Sequence, residues 1–328
     1  MAPSSFNQLM KHNNKNSKFS YYAQAILQWL VPDIIYRLQL DKLLRPDEDH
    51  DPDYINSRVD YYNKVEKPFE LSPQAKTLAK LSPKKQSAYY FDMRELLRYF
   101  PDNLCFDMLF GDITKVPPTP TLLKSRPISE DNANSVLLKL NKVRHYNFVT
   151  DQISFSLKRD QLVWRGKSKK NHHRAKLVEQ YYNHPLCNIG QTNLYDKENA
   201  YRHQKSYLSI DEQLQYKFIL SLEGNDVASN LKWIMSSNSL CFMREPRFET
   251  WFMEGRLIPN HHYVHLRDDF CDLEEKIQYF QKHEDEALAI INNANDHARQ
   301  FLDKKRERYI SLLVLQKYIS LSGQLPSQ

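Results

Sequence analysis

The chain has 328 residues, of which 41% are hydrophobic and 26% charged, with a net charge of +6. That length and apolar content read as a soluble globular protein of one large or two medium domains, and the mild positive balance fits an anionic partner without demanding one. Four separated cysteines (Cys105, Cys187, Cys241, Cys271) with no CxxC pair count against a zinc site or a disulfide framework and suit a reducing compartment.

Residues 1–20 are polar and Asn/Lys-rich and read as a frayed tail. They lack the apolar core of a signal peptide, and the C-terminus carries no retention signal, so the expected compartment is the cytoplasm. No stretch approaches the roughly 20 apolar residues of a membrane span. The nearest, residues 21–38, is broken by Gln24, Gln28, Pro32, Asp33 and Arg37. Residues 21–45 predict an amphipathic helix with Pro32 as a boundary. It either packs on the first domain or rests on a membrane surface through Trp29, Tyr21 and Tyr22 beside Arg37, Lys42 and Arg45.

A short helix is predicted over 89–99 and a buried strand over 104–110, with Gly111-Asp112 at its C-terminal end, where α/β domains place ligands. Asp112 is either a general base or a turn residue bonding its own backbone. Further strands are predicted over 135–140 and 146–150, among Lys124, Arg126, Lys139, Lys142 and Arg144. These cations either face phosphates or form a solvated rim; Lys139 and Asn141 are the acceptor-side candidates.

A strand over 162–164 runs into Arg165-Gly166-Lys167, a basic loop and a helix over 175–182. Lys167, Lys169, Lys170 and Arg174 cluster near that helix start, as a diphosphate site requires. The central stretch is YKFILSLEGNDVASNLKWIMSS, residues 216–237. An apolar run over 218–222 is followed by Gly224, a polar turn, and Leu231, Ile234 and Met235 at near-helical spacing. Asn225 and Asp226 stand where an N-cap belongs, so strand, turn and helix start would offer N–H groups to an anion. Neither a Walker loop nor GxGxxG occurs. Beyond it the pattern predicts strands over 240–243 and 263–266, a short helix over 248–253, and helices over 272–281, 284–305 and 308–320. The pairs His172/His173 and His261/His262, with His265, lack HExxH spacing and read as non-metal. Only six glycines occur, so the neighbourhoods of Gly111, Gly166, Gly190, Gly224 and Gly255 are where chemistry is sought.

The strand–helix alternation predicts an α/β fold with a Rossmann-like parallel sheet over 160–300, and a second set over 85–150 would face it across a cleft. The expected organisation is 1–150 on the acceptor side, 151–305 binding nucleotide sugar, and 306–328 as a helix crossing back onto the first domain.

Several stretches together resemble glycosyltransferase family 90, which includes bacterial lipopolysaccharide proteins, fungal capsule-associated proteins and animal protein O-glucosyltransferases. They are VWRGKS (163–168) with Arg174, YKFILSLEGNDVASNLKW (216–233), SLCFMREPRFETWFMEGRLIPNHHYVHLRDDFCDLEEKIQYF (239–280), and Gly111-Asp112 in FGDITKVP. They span about 105–300, and the long third stretch looks nearest the lipopolysaccharide-type members. The resemblance implies a GT-B fold of two Rossmann-like domains and an inverting, metal-independent transfer of a sugar from UDP to a lipopolysaccharide-like or lipid-linked acceptor. It implies no cofactor beyond the UDP-sugar co-substrate, and at most transient contact with the inner membrane surface. By position Asp112 matches the family's base. Arg165, Gly166, Lys167 and Arg174 with Gly224, Asn225, Asp226, Val227, Ala228, Ser229 and Asn230 match its nucleotide and diphosphate contacts. Animal members carry an arginine where Asn230 stands; either Lys232 substitutes for it or Arg174 alone meets the phosphate charge. His262 and Tyr263 match an HY pair read as structural.

The competing reading is a module that binds nucleic acid or another anionic polymer through the basic loop 165–174. Against it, 40 acidic residues nearly balance 46 basic ones, and no nucleic-acid-binding signature appears. A third reading keeps the fold without chemistry, as a scaffold.

Overall fold

A computed structural model describes residues 17–45, 51–81, 86–168, 172–193 and 203–324. The expected strand–helix alternation gives nine strands among these residues: β1 (Thr121–Leu123), β2 (Ser125–Pro127), β3 (Ser135–Leu137), β4 (Arg159–Gly166), β5 (Cys187–Gln191), β6 (Tyr216–Leu220), β7 (Leu240–Met243), β8 (Phe248–Thr250) and β9 (Val264–His265). Five form one all-parallel sheet in the order β5-β4-β6-β7-β9. The order reverses between β4 and β6, so the loops leaving their C-terminal ends diverge to opposite sides and open a crevice.

The sheet is buried on both faces, which is why β6 (YKFIL) and β7 (LCFM) read as unbroken apolar runs. Period-two alternation sends Leu162, Phe218 and Phe242 to one face and Val163, Ile219 and Cys241 to the other. The first face is covered by helices His173–Tyr181, Leu273–Phe280 and Glu284–Arg299. Helix Glu284–Arg299 buries Ala287, Ile290, Ile291, Ala294 and Ala298, with three acidic residues in its first turn and His297 and Arg299 in its last. The second face packs into a core running on through Leu122, Val136 and Met93 to Tyr62 and Tyr318.

The N-terminal half differs from a second Rossmann-like sheet. β1 and β3 form a two-stranded parallel pair. The predicted strand over 104–110 contributes only an extended edge, Leu109 N–H donating to Leu122 O and Leu122 N–H to Asp107 O. Residues 146–150 join no ladder; Val149 N–H is met by the Ser236 hydroxyl instead. The segment predicted as a helix over 248–253 holds the strand β8 (Phe248–Thr250) instead, which pairs antiparallel with β2 and joins the two halves. Arg126 on β2 meets Glu249 on β8 at 2.7 Å with both side chains buried.

Helix Lys304–Leu321 starts at Asp303, whose carboxylate accepts from the N–H groups of Lys305 and Arg306; the cap ends the preceding helix at Arg299 and breaks the single helix predicted over 284–305. It lies against helix Pro52–Tyr62 through Arg58 and Glu307 at 2.9 Å and Asp60 and Lys317 at 2.7 Å. The predicted N-terminal helix is three shorter ones, Lys18–Trp29, Asp33–Arg37 and Leu40–Leu43, with the first break at Pro32. No helix among the described residues is long and apolar enough to cross a membrane.

Candidate active site

Gly111 adopts φ +114°, a conformation that L side chains rarely adopt, and turns the chain so that Asp112 follows the extended edge 106–109. Lys124, just after β1, lies wholly buried with its ammonium 2.8 Å from Asp112 Oδ1 and 2.6 Å from Asp226 Oδ2. Asp226 also accepts from the Ser125 hydroxyl at 2.7 Å. Asn225 donates its amide to the other Asp112 oxygen at 3.1 Å. The sequence-predicted base and the 224–230 turn are thus held together, with Lys124 as the hinge pin between them.

Asp112 keeps 28% of its side chain exposed. Burial alone would push its carboxyl up, but the Lys124 ammonium and the Asn225 amide outweigh burial and hold it below the ordinary carboxylate range. Burial would likewise lower Lys124, but the two carboxylates, Asp226 first, hold it above its ordinary value. Asp112 is therefore ionised at neutral pH, with two lone-pair sites occupied and the rest open to solvent.

The second part of the site lies at the reversal between β4 and β6. Arg174, at the start of helix His173–Tyr181, donates to Glu223 O at 2.9 Å, Lys167 O at 3.0 Å and Leu222 O at 2.5 Å. It thereby ties the loop after β4 to the loop after β6. Its guanidinium lies over the Trp164 ring at 5.7 Å. Desolvation brings it down to about 10, so it stays cationic while these three hydrogen bonds all go to backbone carbonyls. Gly224 sits against it: a Cβ there would lie 3.4 Å from Arg174 Nη2. Lys167 is exposed beside this clamp, and exposed Arg144 is within electrostatic reach of both Asp112 and Arg174.

Other predicted residues are placed elsewhere. The helix after the turn starts at Leu231 and has Asn230 as its N-cap, so Asn225 and Asp226 precede it by a full turn and are not its cap. That helix is only five residues long, and the anion site expected of its N-terminus is replaced by the clamp of side chains. Asn230 bonds back to Leu220 O at 3.0 Å and accepts from Ser221, pinning the end of β6. Lys232 points into the core, wholly buried on Glu254 at 2.6 Å, which removes it from the crevice. Arg165 commits its donors to Ser206 O, Trp164 O and Asn188, joining β4 to its sheet neighbour. Gly166 is packed by the Trp164 ring, 2.6 Å from where a Cβ would stand. Val227 and Ala228 are buried and Ser229 is half-buried. Lys139 lies near Glu307 (3.6 Å) and Phe301 O (3.3 Å), and Asn141 adopts φ +56° ahead of the short helix Lys142–His145. Lys169 and Lys170 fall outside the described residues.

Two contributors were not singled out from the sequence. Arg244, directly after β7, forms an ion pair with Glu223 and reaches Asp268 at 3.2 Å, closing the far side of the crevice. Ser168 is buried, holds Asn193 through its backbone, and its hydroxyl has no hydrogen-bond partner among the described residues. The histidine pairs are accounted for locally: His172 caps its helix and His173 bonds Glu223 O at 2.8 Å, burial holding the latter neutral at about 3. Among the described residues no group of three or more His, Cys, Asp or Glu side chains is placed to hold a metal ion.

Comparison with known proteins gives the following. The sequence model described as glycosyl transferase family 90 matches residues 84–327. The chain is 48% identical over 267 residues to O-glucosyltransferase LpsA of Dichelobacter nodosus, covering 81% of this chain and 83% of that protein. It is 27% identical over 143 residues to Protein O-glucosyltransferase 2 of Danio rerio, covering 42% and 28% of the two chains. Against human Protein O-glucosyltransferase 3 the identity is 26% over 174 residues, covering 52% and 34%. The match therefore spans about a third of the animal relatives' length.

Proposed function

The chain belongs to glycosyltransferase family 90, and on that footing we propose that it transfers a sugar, in the first instance glucose, from a UDP-sugar to a lipopolysaccharide-type or lipid-linked glycan with inversion at the anomeric carbon. The observation that carries the reading is the convergence of Asp112 from the first half with the 224–226 turn of the second, beside the crevice where the parallel sheet reverses. In this reading the two halves act as the facing parts of a GT-B enzyme.

The acceptor hydroxyl oxygen attacks the anomeric carbon, the bond from that carbon to the UDP oxygen breaks, and the hydroxyl proton passes to Asp112. Asp112 is suited to receive it because it is ionised and partly exposed. When it becomes neutral, Lys124 keeps Asp226 as its counter-charge, so the step leaves no unpaired buried cation. The negative charge that develops on UDP is met by Arg174, with Lys167 and Arg144 alongside. These fixed cations supply the charge a metal ion would otherwise provide, and the reaction is metal-independent in this proposal.

In this proposal the working place is the cytoplasmic face of a membrane. Helix Lys18–Trp29 and the segment after it present Phe19, Leu27, Trp29, Leu30 and Leu38 to solvent.

The test is a screen of the purified protein against UDP-sugars and other nucleotide sugars, with and without EDTA, reading thermal stabilisation and release of UDP. Stabilisation by one UDP-sugar with slow UDP release unaffected by EDTA is the expected result. No shift with any nucleotide, together with salt-sensitive binding to polyanions, overturns the reading in favour of a polyanion-binding module. A shift that needs divalent metal overturns the metal-independent mechanism.

A further inference from the structure

An excess of positive side chains lines a cavity of about 500 Å³ beneath helix Lys18–Trp29. Its volume falls in the range of about 300–1,000 Å³ typical of small-molecule sites. Its floor is helix Ser87–Leu97 and its far wall is the start of helix Lys304–Leu321. Six Lys and Arg side chains line it against three carboxylates, Asp92, Glu95 and Glu307. The carboxylates are already engaged: Asp92 and Glu95 by Lys142 at 3.4 and 2.5 Å, and Glu307 by Arg58 at 2.9 Å. Lys304 and Arg308, both exposed, have no ion-pair partner among the described residues. Aromatic faces from Trp29, Phe91, Phe148 and Phe301 alternate with these charges.

The cavity is connected to the catalytic carboxylate by two elements. Helix Ser87–Leu97 begins beside Gly111, where Gln86 Nε2 is 3.5 Å from a Cβ position and Tyr89 stacks on Phe110 at 5.2 Å. Asp92, on the cavity wall, is six residues further, or about 9 Å along the helix axis. The one-turn helix Lys142–His145 turns Lys142 to the cavity while its neighbour Arg144 stands within electrostatic reach of Asp112.

We propose that this cavity is an acceptor subsite for an anionic saccharide, one carrying a phosphate or carboxylate, with Lys304 and Arg308 taking the anion and Trp29 and Phe91 the sugar faces. A positive, aromatic-walled cavity binds sugar through ring stacking and selects the charged form through unpaired cations. The inference rests on the sugar-transfer reading, since the two elements that join the cavity wall to Asp112 are what make the bound saccharide an acceptor.

The experiment titrates the full chain by calorimetry with four probes: a disaccharide 6-phosphate, a disaccharide ending in glucuronic acid, the neutral disaccharide and inorganic phosphate. At least one anionic disaccharide is expected to bind at least tenfold more tightly than the neutral one and than inorganic phosphate; which of the two is tighter identifies the anion. The exchange of both Lys304→Ala and Arg308→Ala removes that advantage, and Trp29→Ala weakens charged and neutral disaccharides alike. UDP-induced thermal stabilisation, unchanged in each variant, certifies the fold. Equal binding of charged and neutral disaccharides, binding of inorganic phosphate as tight as the disaccharides, or unaltered affinity in the double variant overturns the proposal. If UDP-sugar is hydrolysed and no disaccharide binds, the subsite fails and the transferase stands. Saccharide binding without hydrolysis of any nucleotide sugar leaves the binding site and removes its role as acceptor subsite.

Discussion

The Asn225 amide donates to Asp112 Oδ2 at 3.1 Å although the two residues are 113 positions apart. One belongs to the turn after β6 and the other to the turn after the extended edge of the first half. Their contact fixes Asp112 relative to the crevice, so that in the proposed reaction the proton acceptor is oriented before any substrate arrives.

Replacement of Asp112 by asparagine keeps the size of the side chain and its bond to Lys124 through an oxygen, but removes the proton acceptor of the proposed reaction. Transfer is expected to fall by about 10²–10⁴-fold in kcat. The stabilisation given by UDP stays near the wild-type value, since Arg174 and Lys167 are untouched. Steady-state transfer assays paired with thermal shifts in UDP check both halves; unchanged kcat removes Asp112 from the mechanism.

Lys124 is wholly buried between Asp112 and Asp226. Lys124→Met leaves the buried Asp226 carboxylate without its cation, with Ser125 as its remaining partner among the described residues, and is expected to cost about 3–5 kcal/mol. Asp226→Asn added to Lys124→Met removes the stranded charge and recovers a large part of that loss. The pH windows follow from the shifts. Asp112 is depressed below 3.8, so its contribution to stability is present above that value and is lost as pH falls through the lower folded-state value. Lys124 is raised above 10.5, so its contribution is fully present below that value and is lost as pH rises through the folded-state value. Chemical denaturation across pH, comparing wild type with the single and double variants, checks both limbs.

The parallel sheet was legible because its strands are buried on both faces, so residues 218–222 and 240–243 stand out as apolar runs. β1, β2 and β5 were not, being three to five residues long with polar members such as Arg126, Asn188 and Gln191. Asp112 was marked by its glycine and strand end. Lys124 appeared only as one of several cations, since nothing local in the sequence announces a lysine shared by carboxylates 12 and 102 positions away in the numbering. Lys232 misled for the converse reason: its position in the turn suggested the crevice, but Glu254 draws it into the core. The bond by which Asn230 pins the end of β6 was not legible either, because it depends on the backbone carbonyl of Leu220.

Asp92 offers a pH signature apart from the crevice. Burial pushes its carboxyl up to about 6, despite Lys142 and the hydroxyl of Tyr21. The folded state then binds a proton that the unfolded state has released, so stability falls as pH rises from 3.8 toward 6. The span corresponds to about 3 kcal/mol at most. Asp92→Asn is expected to flatten this part of the stability profile, read as Tm against pH; a slope unchanged in the variant assigns it to other groups.

The exposed apolar residues near the N-terminus carry the membrane part of the proposal. Leu27 and Leu30 are 65% and 72% exposed. Leu27→Ser with Leu30→Ser removes two side chains, each worth about 1.5–3 kcal/mol when fully withdrawn from water. Cosedimentation with phosphatidylglycerol vesicles is expected to drop severalfold while hydrolysis of UDP-sugar in solution is unaffected. Equal cosedimentation of the variant takes this face out of membrane contact.

Gly224 tests the crevice without touching a charged group. A Cβ there meets Arg174 Nη2 at 3.4 Å and its guanidinium carbon at 3.6 Å, the close limit of ordinary van der Waals contact, so the methyl packs against the guanidinium and perturbs its alignment with Leu222 O and Glu223 O only slightly. Because Gly224 is not in the positive-φ region, alanine brings no backbone strain, and its smaller unfolded-state entropy offsets part of the crowding. The Tm of Gly224→Ala should therefore stay close to wild type. Arg174, however, is the cation that faces the leaving diphosphate in the proposed reaction, and a small displacement weakens both its ground-state and transition-state contacts. The expected result is a severalfold rise in KM for the nucleotide sugar with a smaller fall in kcat, and reduced thermal stabilisation by UDP. A variant with wild-type kinetics and UDP stabilisation would show that Arg174 only ties the two loops together, and the diphosphate would then be assigned to Lys167 and Arg144.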